Sequence, residues 1–397
     1  MIEEHKVGYK KTKIGWIPND WDLKKLNDVC EFRNGKGHEM IIDEEGGFVL
    51  VNSRFVSTEG EVRKHIKQNL SPLYENEITI VMSDVPNGRA IAKCFLVDKN
   101  NHYSLNQRIG AIKAKKINYK FLFYSINRNK YYLKFDDGVK QTNLRKEEVL
   151  NCPILYPPIK EQEKIASILS DWDKTIKKTQ TFIEKLELRK KGLMQQLLTG
   201  KTRLKGFIDN WQLLKAEELF KNHTDKNHDG TLEVLSATQD KGVIPRSETG
   251  IDIKYDKNSL SNYKRLNVGD FVISLRSFQG GIEYSNYEGL VSPAYTVLRE
   301  KKPISKLFYR EYMKTQSFIN KLNSMIYGIR DGKQISYKEF STMKILYPSV
   351  DEQKTIASVI KFTDQEIEYQ LSYLEQLKAQ KKGLMQQLLT GKIRVKI

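Results

Sequence analysis

Lys190-Lys-Gly-Leu-Met-Gln-Gln-Leu-Leu-Thr-Gly-Lys201 recurs without change as Lys381 to Lys392, an offset of 191 residues in a chain of 397. Ile154-Leu-Tyr-Pro-Pro-Ile-Lys-Glu-Gln-Glu-Lys-Ile-Ala-Ser167 matches Ile345-Leu-Tyr-Pro-Ser-Val-Asp-Glu-Gln-Lys-Thr-Ile-Ala-Ser358 at the same offset. Gly15-Trp-Ile-Pro-Asn-Asp-Trp21 is echoed by Gly206-Phe-Ile-Asp-Asn-Trp211 with one residue deleted. The chain is thus built twice from one plan, and a duplicated plan presents two similar surfaces. Between these anchors the copies share little beyond short matches such as Ile78-Thr-Ile-Val-Met-Ser83 opposite Gly269-Asp-Phe-Val-Ile-Ser274.

The repeated blocks read as long helices. After Pro158 the positions Ile165, Leu169, Trp172, Ile176, Thr179, Ile183, Leu186, Lys190, Leu193 and Leu197 alternate spacings of four and three, and eight of the ten are apolar. The second copy gives Ile356, Ile360, Thr363, Ile367, Gln370, Leu374, Leu377, Lys381, Leu384 and Leu388, seven of them apolar. Such a seam predicts a coiled coil, with Gly200 and Gly391 as helix stops. Each helix would run for about 40 residues, or roughly 60 Å. A single stripe must be buried, and the economical partner is the other copy, in antiparallel sense. Gly192 and Gly383 fall inside the helices, where glycine costs about 1 kcal/mol relative to alanine. With Leu193, Met194, Leu384 and Met385 they are candidates for a close backbone approach or for contact with a partner subunit.

The unlike blocks read as α/β. Short β-type runs lie at Phe48–Val51, Ile78–Met82, Ile91–Val97, Phe271–Leu275 and Ala294–Leu298, with helices expected at Tyr119–Asn129 and Ser305–Asn323. The organisation predicted is a mixed domain over 1–155, a helix over 156–201, a second mixed domain over 202–346 and a second helix over 347–397.

Composition narrows the function. The 67 basic and 49 acidic residues leave a net charge of +18, which attracts polyanions. The lysines are spread along the chain rather than gathered on one basic amphipathic helix, so nucleic acid is favoured over a membrane surface. No apolar run is long enough to span a bilayer. Met1-Ile-Glu-Glu-His-Lys6 lacks the pattern of a signal peptide. Cys30, Cys94 and Cys152 stand alone, without zinc spacing, which points to a reduced cytoplasm.

Polar, glycine-broken loops carry side chains suited to base edges: arginine and lysine for guanine, asparagine and glutamine for adenine. Candidates in the first block are Asn87, Arg89, Gln107, Arg108, Lys140, Gln141, Asn143 and Arg145. In the second they are Arg276, Ser277, Gln279, Arg330, Lys333 and Gln334, with Tyr284, Tyr287 and Tyr295 as stacking surface. Catalytic motifs are wanting. Neither a dinucleotide fingerprint nor a P-loop occurs. Asn151-Cys-Pro-Ile154 fits only two positions of the Asn-Pro-Pro-Tyr motif of adenine-N6 methyltransferases. The Glu-x-Lys of Glu352 and Lys354 loses its lysine in the first copy, where Glu163 follows Glu161.

Taken together, Gly15-Trp-Ile-Pro-x-x-Trp21, the Pro-x-x-x-Glu-Gln-x-x-Ile-Ala junctions and the duplicated dodecapeptide resemble the specificity subunit of Type I restriction–modification enzymes, across the whole chain. The resemblance implies two target-recognition domains, each reading half of an asymmetric bipartite site on double-stranded DNA. They would be held apart by an antiparallel helical spacer that docks two methyltransferase subunits, with restriction subunits joining that core. It implies no cofactor on this chain; S-adenosylmethionine, ATP and magnesium would belong to the partners, as would catalysis. The rival readings are a free-standing bipartite DNA-binding protein and a methyltransferase in its own right.

Overall fold

The computed structural model describes residues 7–86, 88–250, 257–325 and 335–397, apart from the side chains of 257–259 and 278. The chain divides into two compact units that do not follow sequence order: residues 1–180 with 373–397, and residues 181–372. Each unit therefore contains one mixed domain, the first half of one long helix and the second half of the other.

The long helices span Ile159–Leu197 and Val350–Leu388, each beginning directly beyond the proline-bearing junction. All twenty seam positions are buried or half-buried, as the four–three spacing requires. The two seam lysines are not misfits. In the second unit Lys190 Nζ lies 2.6 Å from Asp364 Oδ1, and Arg189 pairs with Glu366 at 2.5 Å. In the first unit Lys381 pairs with Asp173. Rising numbers on one helix meet falling numbers on the other, so within each unit the helical segments run antiparallel. A charged residue at a seam position specifies register, because a slip leaves it unpaired.

The mixed domains prove to share one design despite their unlike sequences. In the first unit an antiparallel sheet has the order Cys30–Asn34, Ile109–Ala114, Ile78–Val81, Cys94–Leu96. In the second the order is Phe220–His223, Thr296–Glu300, Phe271–Ile273, Glu283–Tyr284. A two-stranded ribbon, Asp22–Lys25 with Pro153–Tyr156 or Gln212–Lys215 with Lys344–Tyr347, leads into the long helix in each unit. The helix expected at Tyr119–Asn129 spans Tyr119–Ile126. That expected at Ser305–Asn323 is split into Lys306–Tyr312 and Gln316–Ser324, because the Thr315 hydroxyl accepts from Phe318 N and starts a new helix.

The duplicated motifs now acquire a physical reason. Glu161 is fully buried at the start of the first long helix; it accepts from Trp21 Nε1 at 2.9 Å and from Arg394 Nε at 2.7 Å. Glu352 does the same with Trp211 Nε1 at 2.8 Å and Arg203 Nε at 2.6 Å. A buried carboxylate is tolerable only when paired and hydrogen-bonded. The neighbouring Gln162 and Gln353 accept from Asn118 N and Ser305 N, the caps of the short helices beneath, each at about 2.9 Å or less. Glutamate thus ties the helix to the tryptophan ribbon, and glutamine ties it to the domain's helical layer. The arginine in each case comes from the tail of the other repeat.

Gly200 and Gly391 adopt φ of +71° and +69° and end the helices as expected. Gly192 and Gly383 have open space where a Cβ would stand, so no close approach within this chain accounts for them. Leu193 and Met194 pack against the second core, and Leu384 and Met385 against the first.

Candidate nucleic-acid interface

In the first unit the polar turns meet at one end of the four-stranded sheet. Met82 N donates to Arg108 O at 2.9 Å, and Leu144 N donates to Met82 O at 2.7 Å. Ser83–Asp84 pairs in register with Thr142–Asn143. The turns bearing Gln107 and Arg108, Arg89, and Lys140 to Arg145 therefore lie side by side; Arg89, Gln107, Arg108, Lys140, Gln141, Asn143 and Arg145 are exposed, while Thr142 and Leu144 between them are buried. Gln141 Nε2 donates to Ser83 Oγ at 2.8 Å and lies 3.4 Å from Asn143 Oδ1. Gln107 donates to Glu39, which occupies its amide in the free protein. Asn87 lies outside the described residues.

Asp84 shapes this edge. Its carboxylate accepts from Val85 N, Ala90 N and Ile91 N, closing the loop that carries Arg89. A Cβ on Gly88 would stand 2.2 Å from that carboxylate, so the loop admits only glycine there. Arg54 joins the same edge and escaped the sequence reading. Its neighbour Ser53 donates to Ser83 O at 3.4 Å, and Arg54 is exposed one residue beyond. The available signal was Asn52, which follows the strand Phe48–Val51 and caps the next helix by accepting from Phe55 N.

In the second unit the equivalent turn, Ser274–Gly281, follows the strand Phe271–Ile273. Arg276 and Gln279 are exposed. Ser277 is not available for reading: it is buried, and its hydroxyl accepts from Ser274 N at 2.8 Å to form the turn. Tyr284 is likewise committed, edge-on to Phe271 at 5.4 Å, and Tyr295 packs on a second apolar cluster. Tyr287 remains exposed. The hairpin Leu235–Thr238 with Gly242–Pro245 was missed, and with it Gln239 at its turn. Gln239 Nε2 donates to Gln279 Oε1 at 3.1 Å, joining the two turns. Arg330, Lys333 and Gln334 lie outside the described residues.

The three cysteines are buried away from these edges. Burial pushes the Cys30 and Cys152 thiols up to about 12, and Cys94 also well above its ordinary value. Among the described residues no group of His, Cys, Asp or Glu could hold a metal ion, and no helix is long and apolar enough to cross a membrane.

Residues 18–188 match the family model described as the Type I restriction modification DNA specificity domain. The chain is similar to the putative type I restriction enzyme MjaX specificity subunit of Methanocaldococcus jannaschii, 27% identical with 98% of this chain and 97% of that protein covered. It is also 27% identical to the MjaVIII specificity subunit of the same organism, over 96% of this chain and 94% of that one. Among solved structures the fold resembles a Type I restriction–modification S subunit from M. genitalium, with TM-score 0.53, 16% identity, and coverage of 93% and 96%. An HsdS subunit from Thermoanaerobacter tengcongensis gives TM-score 0.51 at 16% identity, covering 95% of this chain and 98% of that one. Residues 18–188 thus carry the Type I restriction modification DNA specificity domain, and over nearly its whole length the chain is similar to specificity subunits of type I restriction enzymes.

Proposed function

We propose that each unit reads one half of a bipartite, asymmetric DNA target through the polar edge just described, and that the chain itself performs no chemistry. The observation that carries this reading is the repetition of one sheet design with different turn residues. Arg89, Gln107, Arg108, Gln141 and Asn143 occupy the edge in the first unit; Arg276, Gln279 and Gln239 occupy it in the second. A constant scaffold with unlike readers suits a target whose halves differ. Exposed Lys140 and Arg145 flank the first edge as phosphate contacts, which give affinity without sequence choice.

The helical pair, with its exposed Gly192 and Gly383 and half-exposed Leu193, Met194, Leu384 and Met385, serves in this reading as spacer and as docking surface for two methyltransferase subunits. S-adenosylmethionine, ATP and magnesium would act on those subunits and on restriction subunits, and the methyltransferase would flip its adenine out of the duplex. Replacing residues 1–155 by those of a relative, followed by methylome sequencing, tests the proposal. Only one half of the methylated sequence should change, and a change in both halves rejects it. The purified chain alone should transfer no methyl group from S-adenosylmethionine.

A further inference from the structure

Lys314 stands between the helices Lys306–Tyr312 and Gln316–Ser324. Its ammonium donates to Gly280 O at 2.9 Å and to Gln239 O at 3.4 Å, and it pairs with Glu283 Oε1 at 2.5 Å. Three separate segments, the hairpin turn, the turn bearing Arg276 and Gln279, and the strand Glu283–Tyr284, are thereby fastened to one cation. The backbone is pressed close here as well. Gly281 has φ +83°, and a Cβ on it would stand 2.2 Å from Met313 O.

Glu283 is 1% exposed, and its Oε2 has no hydrogen-bond partner among the described residues. A carboxylate buried with half its acceptors unused is costly, and among the described residues Lys314 is the cation paired with it. Burial raises its pKa to about 7; Lys314 opposes the shift and Asp240 at the hairpin turn adds to it. Arg310, 6.0 Å over the Tyr284 ring and itself paired with Glu311, lies near this strand, and at the strand's far end Asp270, whose backbone carbonyl accepts from Ser285 N, is neutralised by Arg299.

We infer that Lys314 and Glu283 are positioning residues that hold Gln239 and Gln279 in register for one base pair, so that discrimination at the second unit's half-site depends on their ion pair. The inference rests on the second unit's edge facing DNA. Two glutamine amides 3.1 Å apart on different turns can act on one base only while those turns keep their spacing, and Lys314 sets that spacing through the carbonyls of Gln239 and Gly280. Protonation of Glu283 removes the counter-charge and loosens the clamp, without touching any exposed side chain.

The test uses the full chain and duplexes carrying its methylome-derived target, each with single base-pair changes, in competition binding between about pH 6 and pH 8. Glu283→Gln and Lys314→Met should each lower discrimination at one base pair of the second half-site by about tenfold, within the range of one bidentate contact. The first half-site should be unaffected. Wild-type discrimination should fall as pH drops through about 7, the Glu283→Gln profile should be flat, and Lys314→Arg should recover part of the loss. Glu283→Gln keeping wild-type discrimination and pH profile would overturn the inference. So would an equal loss at both half-sites with a lowered thermal midpoint, the mark of a merely structural role. Gln239→Ala with Gln279→Ala is the separate control: unchanged discrimination in that variant means the edge does not face DNA.

Discussion

Trp21 donates its indole hydrogen to Glu161 across 2.9 Å, and both side chains are wholly buried. The matching pair in the second unit, Trp211 with Glu352, is 2.8 Å apart. Each glutamate is neutralised by an arginine from the tail that follows the other repeat's helix. Ribbon, long helix and tail are locked at one point in each unit.

Arg203→Ala should therefore destabilise the second unit. It strips Glu352 of a two-pronged partner while leaving the Trp211 bond. Breaking a buried pair costs about 3–5 kcal/mol; the remaining indole and the part exposure of Arg203 reduce this to about 2 kcal/mol. Urea unfolding followed by tryptophan fluorescence should show an earlier transition.

The antiparallel register can be probed through Lys190 and Asp364. Both are part-exposed, so a double-mutant cycle with Lys190→Met and Asp364→Asn should return a coupling of about 0.5–1 kcal/mol. A coupling near zero in thermal unfolding would mean that the pair does not contribute to the register.

Base reading and phosphate contact separate by salt. Lys140→Ala or Arg145→Ala should weaken all sequences alike and lower the slope of log affinity against log salt by about 1. Arg276→Ala should instead relax one position by about 1–3 kcal/mol. Binding titrations over a salt series on matched and mismatched duplexes distinguish the two.

Stability should carry a pH signature from Glu283. Its pKa is raised from 4.5 unfolded to about 7 folded, so its contribution is fully present below the unfolded value and is lost as pH rises through about 7. In Glu283→Gln that slope of unfolding free energy against pH should flatten, read by denaturant titration at a series of pH values.

Much of this architecture was legible because periodicity survives without context: every seam position from Ile165 to Leu197 and from Ile356 to Leu388 is buried or half-buried. The shared sheet design was not, since strands such as Cys30–Asn34 are only five residues long, too short for the alternation of Cys30 and Phe32 with Glu31 and Arg33 to stand out. Arg33 belongs there because Glu77 accepts from it at 2.7 Å, a tertiary fact. Ser277 and Tyr284 misled for the opposite reason. A polar or aromatic side chain beside a glycine-rich turn reads as a reader, yet its hydroxyl or ring can serve the turn itself. Gln239 and Lys314 were invisible because their importance lies in contacts between segments some 40 and 75 residues apart.

The exchanged tails tie each repeat to the other in a way that sequence order conceals. Arg394 sits three residues from the last position of the chain, yet the carboxylates it neutralises, Glu161 and Asp20, belong to the first unit. Loss of Arg394 would accordingly be felt first around Trp21, in a unit whose sheet is encoded more than 250 residues upstream.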